Sequence, residues 1–252
     1  MKKQLDWFDD KRLLSLVRKG DYAHAGEIEA IDYVFSSISK NKHRQILDVG
    51  CGLGGTAEYI QQHDFGYVTG FDIDTNAIIY AKEKYPAVEF YTCDAINAEK
   101  LLPHKKYDLI YSFNSFFAFS DKLRVLQNLA VLAKPRAQLI IFDYIHRAQE
   151  NKSAALKNNI MEMSFTPVNL DHLEKMMLET KWKIKKIENL DHEFQKWYCD
   201  FLSKITQHKE NIVSEFNEEA YLKLLSTFTG IYNALNDKII GGGVMYAELN
   251  IT

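Results

Sequence analysis

The run ILDVGCGLGG (46–55) holds the residues best suited to grip a ligand. Asp48 stands two positions before Gly50, and Gly52 and Gly55 follow. Gly50 and Gly52 permit a sharp strand-to-helix turn and a close backbone approach where a Cβ would collide with a ligand. A second acid, Asp72 in GFDID, lies 24 residues beyond Asp48. An acid at that place can accept both hydroxyls of an adenosine ribose. Gly50, Gly52 and Gly55 also satisfy the G-x-G-x-x-G dinucleotide spacing. Asp48 argues against a dinucleotide, because it repels a pyrophosphate and attracts an ammonium or a sulfonium. The pattern predicts a nucleoside with a positively charged tail.

Other polar residues lie where an acceptor for that ligand's chemistry would sit. Tyr22, His24, Asn114, Tyr144, His146 and Arg147 are the candidates. Each also has an ordinary structural reading. Tyr22 suits a packed N-terminal aromatic, His24 a helix start, and Asn114 a turn cap. Tyr144 directly follows an apolar run, where loops of α/β sheets meet ligands. His146 and Arg147 suit a solvated loop, or a cation that holds a carboxylate. Phe116, Phe117 and Phe119 either wall an apolar pocket or pack under a cap. The stripe Phe194, Trp197, Tyr198, Phe201 reads as core packing, and Cys93 as a buried thiol.

The elements that position these residues follow from periodicity. QILDV (45–49), YVTGF (67–71), VEFYT (88–92), YDLIYS (107–112) and AQLIIFDY (137–144) are apolar almost throughout, as expected of parallel strands covered on both faces. Helical patterns separate them: Ala77, Ile78, Ala81 and Tyr85 share one face, as do Leu123, Leu126, Ala130 and Ala133. Asp74 or Thr75 and Asp121 suit the N-caps, and Pro135 follows the second helix. The alternation predicts a doubly wound α/β sheet. Beyond Tyr144, residues 150–163 and 171–178 read as helices and WKIKKIEN (182–189) as a half-exposed strand. Two strong helical stripes follow, Phe194 to Ile205 and Tyr221 to Leu235, and GGGVMYAELNIT predicts a Gly-rich bend and a last strand. This helical part is expected to pack on the sheet as a cap.

ILDVGCGLGG, the acid in GFDID, YTCDA after the third strand and the strand YDLIYSFNS together resemble class I S-adenosylmethionine-dependent methyltransferases, over roughly residues 20–145 and the final strand. The resemblance implies a Rossmann-like seven-stranded sheet whose last strand is antiparallel, with S-adenosyl-L-methionine as cofactor. It puts Asp48 and Gly50, with Gly52 in the same turn, at the methionine tail. Asp72 and Ile73 then meet the ribose and adenine, Asp94 and Ala95 the adenine amine, and Ser112 and Phe113 the methionine end. DYAHAGEIEAIDYV (21–34) resembles the N-terminal segment of phosphoethanolamine and sarcosine/dimethylglycine N-methyltransferases, which folds over the cofactor and points to Tyr22, Ala23 and His24 here. Two departures stand out. Ala118 occupies the place of a histidine after the fourth strand. Asn159, Met163 and Phe165 fall where the phosphoethanolamine enzymes carry phosphate-gripping Tyr and Arg residues.

The implied division is an N-terminal helical lid over 1–43 and a methyltransferase domain over 44–252, with helical cap insertions about 145–180 and 190–237. Methyl transfer from a sulfonium is an in-line displacement that needs alignment and exclusion of water. It needs no metal, and a base only if the nucleophile arrives protonated. Tyr22, Asn114 and Tyr144 are the catalytic candidates. The expected function is methylation of a small-molecule acceptor, with nitrogen ahead of oxygen or carbon. A nicotinamide-dependent oxidoreductase and a non-catalytic S-adenosylmethionine-binding protein are the alternatives.

Composition narrows the rest. The chain has 252 residues, 46% of them apolar and 26% charged, with a net charge of −3. That balance disfavours a nucleic-acid partner. Nucleobase and glutamine methyltransferases also show an Asn- or Asp-Pro-Pro-Tyr turn, where this chain has Ser112-Phe113-Asn114-Ser115. Three scattered cysteines exclude a disulfide framework, and no apolar run suits a signal peptide or a membrane span. A cytoplasmic protein without a membrane partner is expected.

Overall fold

Each apolar run predicted as a strand forms one in the computed structural model, which describes residues 6–102, 105–147 and 166–250. Strands β1 (Gln45–Val49), β2 (Tyr67–Asp72), β3 (Glu89–Thr92), β4 (Tyr107–Phe113) and β5 (Ala133–His146) pair in parallel. Strands β6 (Trp182–Asn189) and β7 (Ile240–Leu249) complete a seven-stranded sheet of order β3-β2-β1-β4-β5-β7-β6. Strand β7, the last in the chain, runs antiparallel to both of its neighbours. The order reverses between β1 and β4, so their carboxyl ends open the crevice in which such sheets bind ligands.

Side chains alternate between two cores. Ile46, Val68, Leu109, Tyr111, Ile140 and Phe142 face one side. Leu47, Val49, Phe71, Ile110, Leu139 and Ile141 face the other. The first side is covered by α1 (Trp7–Arg18), α2 (Glu27–Phe35), α3 (Gly55–Gln62) and α4 (Thr75–Lys84), all placed by buried apolar residues. The second is covered by the short α5 (Ala98–Leu101), by α6 (Lys122–Leu132) and by α7 (Leu170–Glu179). Asp74 caps α4 by accepting from Asn76 and Ala77, and Asp121 caps α6 by accepting from Arg124. These are the capping residues the sequence predicts.

The two C-terminal stripes become α8 (Asp191–Gln207) and α10 (Glu218–Asn236), joined by α9 (Lys209–Glu215). They pack over the first side, and Phe201 meets Phe228 edge-on at 4.7 Å. Helix α7 buries Leu173 and Met177 on the opposite side, beside α6. Over 170–179 the expected cap insertion is therefore a helix flanking the far face. The predicted helix 150–163 lies outside the described residues.

Two local expectations change. Pro135 follows α6 as expected, but Ala133, expected on the helix face, is the first residue of β5, because the strand begins as soon as α6 ends. Gly241, Gly242 and Gly243 belong to β7 and pair with Ile145, Tyr144 and Asp143; they form no bend before it. The physical reason lies in α8: a Cβ on Gly242 would meet the Phe194 ring at 2.0 Å. Glycine lets that helix lie directly on the strand.

Candidate cofactor and acceptor site

The glycine turn is held from below by strand β2. The amides of Gly50 and Cys51 both donate to the Phe71 carbonyl, at 2.9 Å each. Gly52 has φ +54, and no heavy atom lies within 4 Å of where its Cβ would project. It therefore leaves an open seat that a side chain would fill. Its amide donates to Asp72 Oδ2 at 2.9 Å. The other oxygen of Asp72 accepts from the Asp74 amide and from Lys11 Nζ, each at 3.0 Å. Lys11 also reaches Asp74, at 3.0 Å. Sequence reading missed Lys11, since a lysine on an amphipathic helix carries no signal of a partner 61 residues away.

Asp48 is 2% exposed and accepts from the Tyr111 hydroxyl at 2.8 Å. Burial, with a further contribution from the Asp72 charge, pushes its carboxyl up to about 8. An ammonium brought to this turn would favour the ionised form again. The turn thus combines an open backbone seat, an acid at the end of β2 and a buried acid without a cation among the described residues. That combination fits a nucleoside with a cationic tail.

Adjoining residues fit the nucleoside as well. Ile73 is 53% exposed beside Asp72, an apolar surface where adenine is expected. Asp94 accepts from the Ile96 amide at 3.1 Å and so shapes the loop, and Ala95 is buried there. Ser112 bonds Ser115 through their hydroxyls at 2.6 Å, and Ser115 donates to the Val49 carbonyl at 2.6 Å. Phe113 is buried in the aromatic cluster just beyond.

The segment before α2 lies over this end of the sheet. His24 is buried, with Nδ1 on the Ala25 carbonyl and Nε2 on the Thr56 hydroxyl, each at 3.0 Å. Burial drives its pKa down to about 3, so the ring is neutral. Its ring lies 4.9 Å from Phe113. Tyr22 is half-buried and packs edge-on to His24, while Ala23 is exposed. Asn114, at φ +44, accepts from the Ala25 amide at 3.1 Å through its side-chain oxygen. Asn114 thus joins the N-terminal segment to the end of β4.

A second cluster lies at the ends of β4 and β5. The hydroxyls of Tyr144 and Tyr198 hydrogen-bond, and Phe117 stands edge-on to Tyr144 at 5.4 Å. Of the neighbouring phenylalanines, Phe116 and Phe119 pack on the other face of the sheet. Asp143 is fully buried and accepts from the amides of Phe117 and Tyr144. Burial raises its carboxyl to about 7. Arg147 is bound to Asp191 at 3.0 Å, and the backbone of His146 pairs with Val168 and Ile240, which seats both residues at the strand end. Arg18, at the last turn of α1, enters the same cluster; it is buried and lies 4.0 Å above the Phe201 ring. Neither Arg18 nor Tyr198 was visible as a site residue in the sequence, because both sit at regular helical spacing.

Among the described residues no group of His, Cys, Asp or Glu is arranged to hold a metal, and no helix is long and apolar enough to cross a membrane. Residues 47–139 match a methyltransferase domain. The chain is 26% identical over 211 residues to a phosphoethanolamine N-methyltransferase of Plasmodium falciparum, covering 82% of this chain and 75% of that one. It spans 41% of the length of the Arabidopsis thaliana phosphoethanolamine N-methyltransferase 1 that it also matches. The fold superposes with TM-score 0.83 and 20% identity on Haemonchus contortus phosphoethanolamine N-methyltransferase 2 in complex with phosphomonomethylethanolamine and S-adenosylhomocysteine, over 96% of this chain and 58% of that one. A Galdieria sulphuraria structure provisionally assigned as a sarcosine dimethylglycine methyltransferase gives TM-score 0.78 at 16% identity, over 88% of this chain and 85% of that one.

Sheet, turn and matched domain support a class I S-adenosylmethionine-dependent methyltransferase, a class that uses S-adenosyl-L-methionine as its cofactor. Within that class its sequence is similar to phosphoethanolamine N-methyltransferases and its fold to the sarcosine dimethylglycine methyltransferase structure. The match falls on the turn that also carries the dinucleotide spacing, and it favours methyl transfer over the nicotinamide alternative.

Proposed function

We propose that the chain methylates the nitrogen of a small-molecule amine. The observation that carries this reading is the similarity to phosphoethanolamine N-methyltransferases, which runs over 211 residues and so extends well beyond the 47–139 domain. Bound at the turn, S-adenosylmethionine supplies an electrophilic methyl group on a charged sulfur. Asp72 holds the ribose, Asp48 the ammonium, and Gly50 and Gly52 the methionine backbone. Ile73, Asp94 and Ala95 face the adenine, and Ser112 and Phe113 the methionine end. Tyr22, Ala23 and His24 cover them as part of an N-terminal lid.

The acceptor enters over β4 and β5, because the cofactor takes the ends of β1 and β2. Phe113, Phe142, Phe194 and Trp197 form one aromatic cluster there that keeps water out. Burial raises the pKa values of Tyr22 and Tyr144, so both keep their protons. They orient the amine as hydrogen-bond partners, and the amine itself must arrive neutral. Asn114 acts through position, by fixing the lid at Ala25.

The test is a methyl-transfer assay with isotopically labelled S-adenosylmethionine and a panel of small amines, alcohols and thiols, with products located by mass spectrometry. N-methylated amines are expected. Label found only on oxygen or carbon, or no transfer to any amine, would refute the reading.

A further inference from the structure

The edge of the sheet opposite the cofactor crevice carries a second recess. It lies at the amino ends of β1, β4 and β5, beside the carboxyl end of β7, and has a volume of about 420 Å³. Arg44, Lys134 and Arg136 line it together with His43, and its acids are Asp108 and Glu248. The chain as a whole has a net charge of −3, so a cluster of cations here runs against the average.

Both acids are already balanced. Asp108 Oδ2 accepts from Lys134 Nζ and from the Gln45 amide, each at 2.8 Å. Glu248 pairs with Lys185 of β6 at 3.1 Å. Arg44 donates to the carbonyl and the hydroxyl of Ser39, at 2.8 and 3.2 Å, and both oxygens are neutral. Those bonds fix its guanidinium at the recess without neutralising it. Arg136 is exposed and has no side-chain partner among the described residues. Two guanidinium charges therefore stand in excess at one recess.

The backbone gives an independent sign. Between Tyr107 and Leu109 strand β4 advances by two residues, while its partner β5 advances by five, from Ala133 to Gln138. The extra residues form a bulge, a device by which a sheet re-aims side chains, and Lys134 and Arg136 lie within it. Arg136 has φ +62. That left-handed conformation is unstrained for glycine and unfavourable for a residue with a Cβ. An arginine thus stands, against local preference, where its guanidinium joins Arg44 at the recess. Strain retained at such a place points to a function there.

We propose that this recess is an anion site, separate from the methyl-transfer crevice, which receives a phosphate-type dianion between Arg44 and Arg136. Guanidinium forks bind oxyanions through paired, parallel hydrogen bonds. A tetrahedral phosphate has oxygens for two forks and a charge that matches two guanidiniums; a carboxylate has oxygens for one. The volume admits a small phosphorylated molecule as well as the free ion. The site stands independently of the acceptor reading, because it shares no residue with the crevice.

Calorimetry on the full chain, with and without S-adenosylhomocysteine, tests the site with two probes, inorganic phosphate and acetate, at low salt and about pH 8, where phosphate is doubly charged. Phosphate should bind with a dissociation constant of about 1 mM or below in both states, and acetate about tenfold more weakly. Arg136→Gly should weaken phosphate by about tenfold. The same variant should melt no lower than the wild-type chain, since it relieves the left-handed φ. Arg44→Gln should weaken phosphate by about tenfold as a second reading. Tyr144→Phe, in the crevice, should leave phosphate binding as it is. Acetate bound as tightly as phosphate, unchanged phosphate binding in folded Arg136→Gly or Arg44→Gln, or binding abolished by Tyr144→Phe or by S-adenosylhomocysteine overturns the proposal. So does the lack of any phosphate binding up to about 10 mM.

Discussion

The two halves of the crevice are built by different means. At the ends of β1 and β2 it is made largely of the backbone of a glycine turn, with one acid from each strand beside it. At the ends of β4 and β5 it is made of side chains from four separate places in the chain: Arg18, Asn114, Tyr144 and Tyr198. A backbone site must be encoded locally, because only certain residues permit the turn. A side-chain site can be assembled from any elements that the fold brings together. The first half is therefore legible in one short run and an acid on the next strand, whereas the second depends on tertiary packing.

The sharpest separation of the halves should come from Asp72→Ala. Loss of a charged acceptor costs about 1.5–3 kcal/mol, so S-adenosylhomocysteine should bind roughly ten- to a hundredfold more weakly. The Michaelis constant for the acceptor at saturating cofactor should barely move. Equal damage to both constants would show that the halves are one site.

The next effect is pH dependence confined to the cofactor half. The free enzyme holds Asp48 protonated up to about 8, and an incoming ammonium favours its ionised form. Binding then releases a proton, so affinity should rise with pH, by about fivefold between pH 7 and pH 8, and level off above. Calorimetry in buffers of different ionisation enthalpy measures the proton directly. Asp48→Asn should flatten the rise; a slope that survives in that variant would assign it to another group.

A smaller effect should join the halves. Asn114→Ala removes one hydrogen bond to the N-terminal segment, worth about 0.5–1.5 kcal/mol. It should weaken S-adenosylhomocysteine by no more than about tenfold and speed amide exchange at Ala25. Unaltered exchange would show that the segment is held elsewhere. The smallest change should come from Lys11→Met. The partly exposed pair with Asp72 is worth about 0–1 kcal/mol. Since the ribose and Lys11 compete for that carboxylate, cofactor affinity should rise, by about fivefold at most. A fall would mean that Lys11 assists the ligand.

The same contrast decides what the sequence made legible. All seven strands, the capping acids Asp74 and Asp121 and the glycine turn follow from local spacing, and the structure has each of them. The glycines 241–243 read as a bend because a triple glycine is poor strand former; only the approach of Phe194 explains them. Arg18 drew no reading from the sequence; in the structure it is the basic end of α1, favourable to the helix dipole. Its burial depends on α8, which lies far along the chain, and no periodicity in residues 7–18 could announce it.

Helix α1 has one further consequence. Lys11 and Arg18 are seven residues apart on it, about 10 Å along one rigid rod. Near its start, Phe8 packs on Tyr80 of α4; at its end, Arg18 lies on Phe201 of α8, and Arg12 pairs with Glu215 at 2.8 Å between them. If a ribose takes the Asp72 carboxylate from Lys11, the release falls on the same rigid helix that packs Arg18 against the cap. Any coupling carried that way must be reciprocal: whatever factor the nucleoside applied to a ligand on the cap side, that ligand would return in full. A helix of 12 residues would be the whole lever.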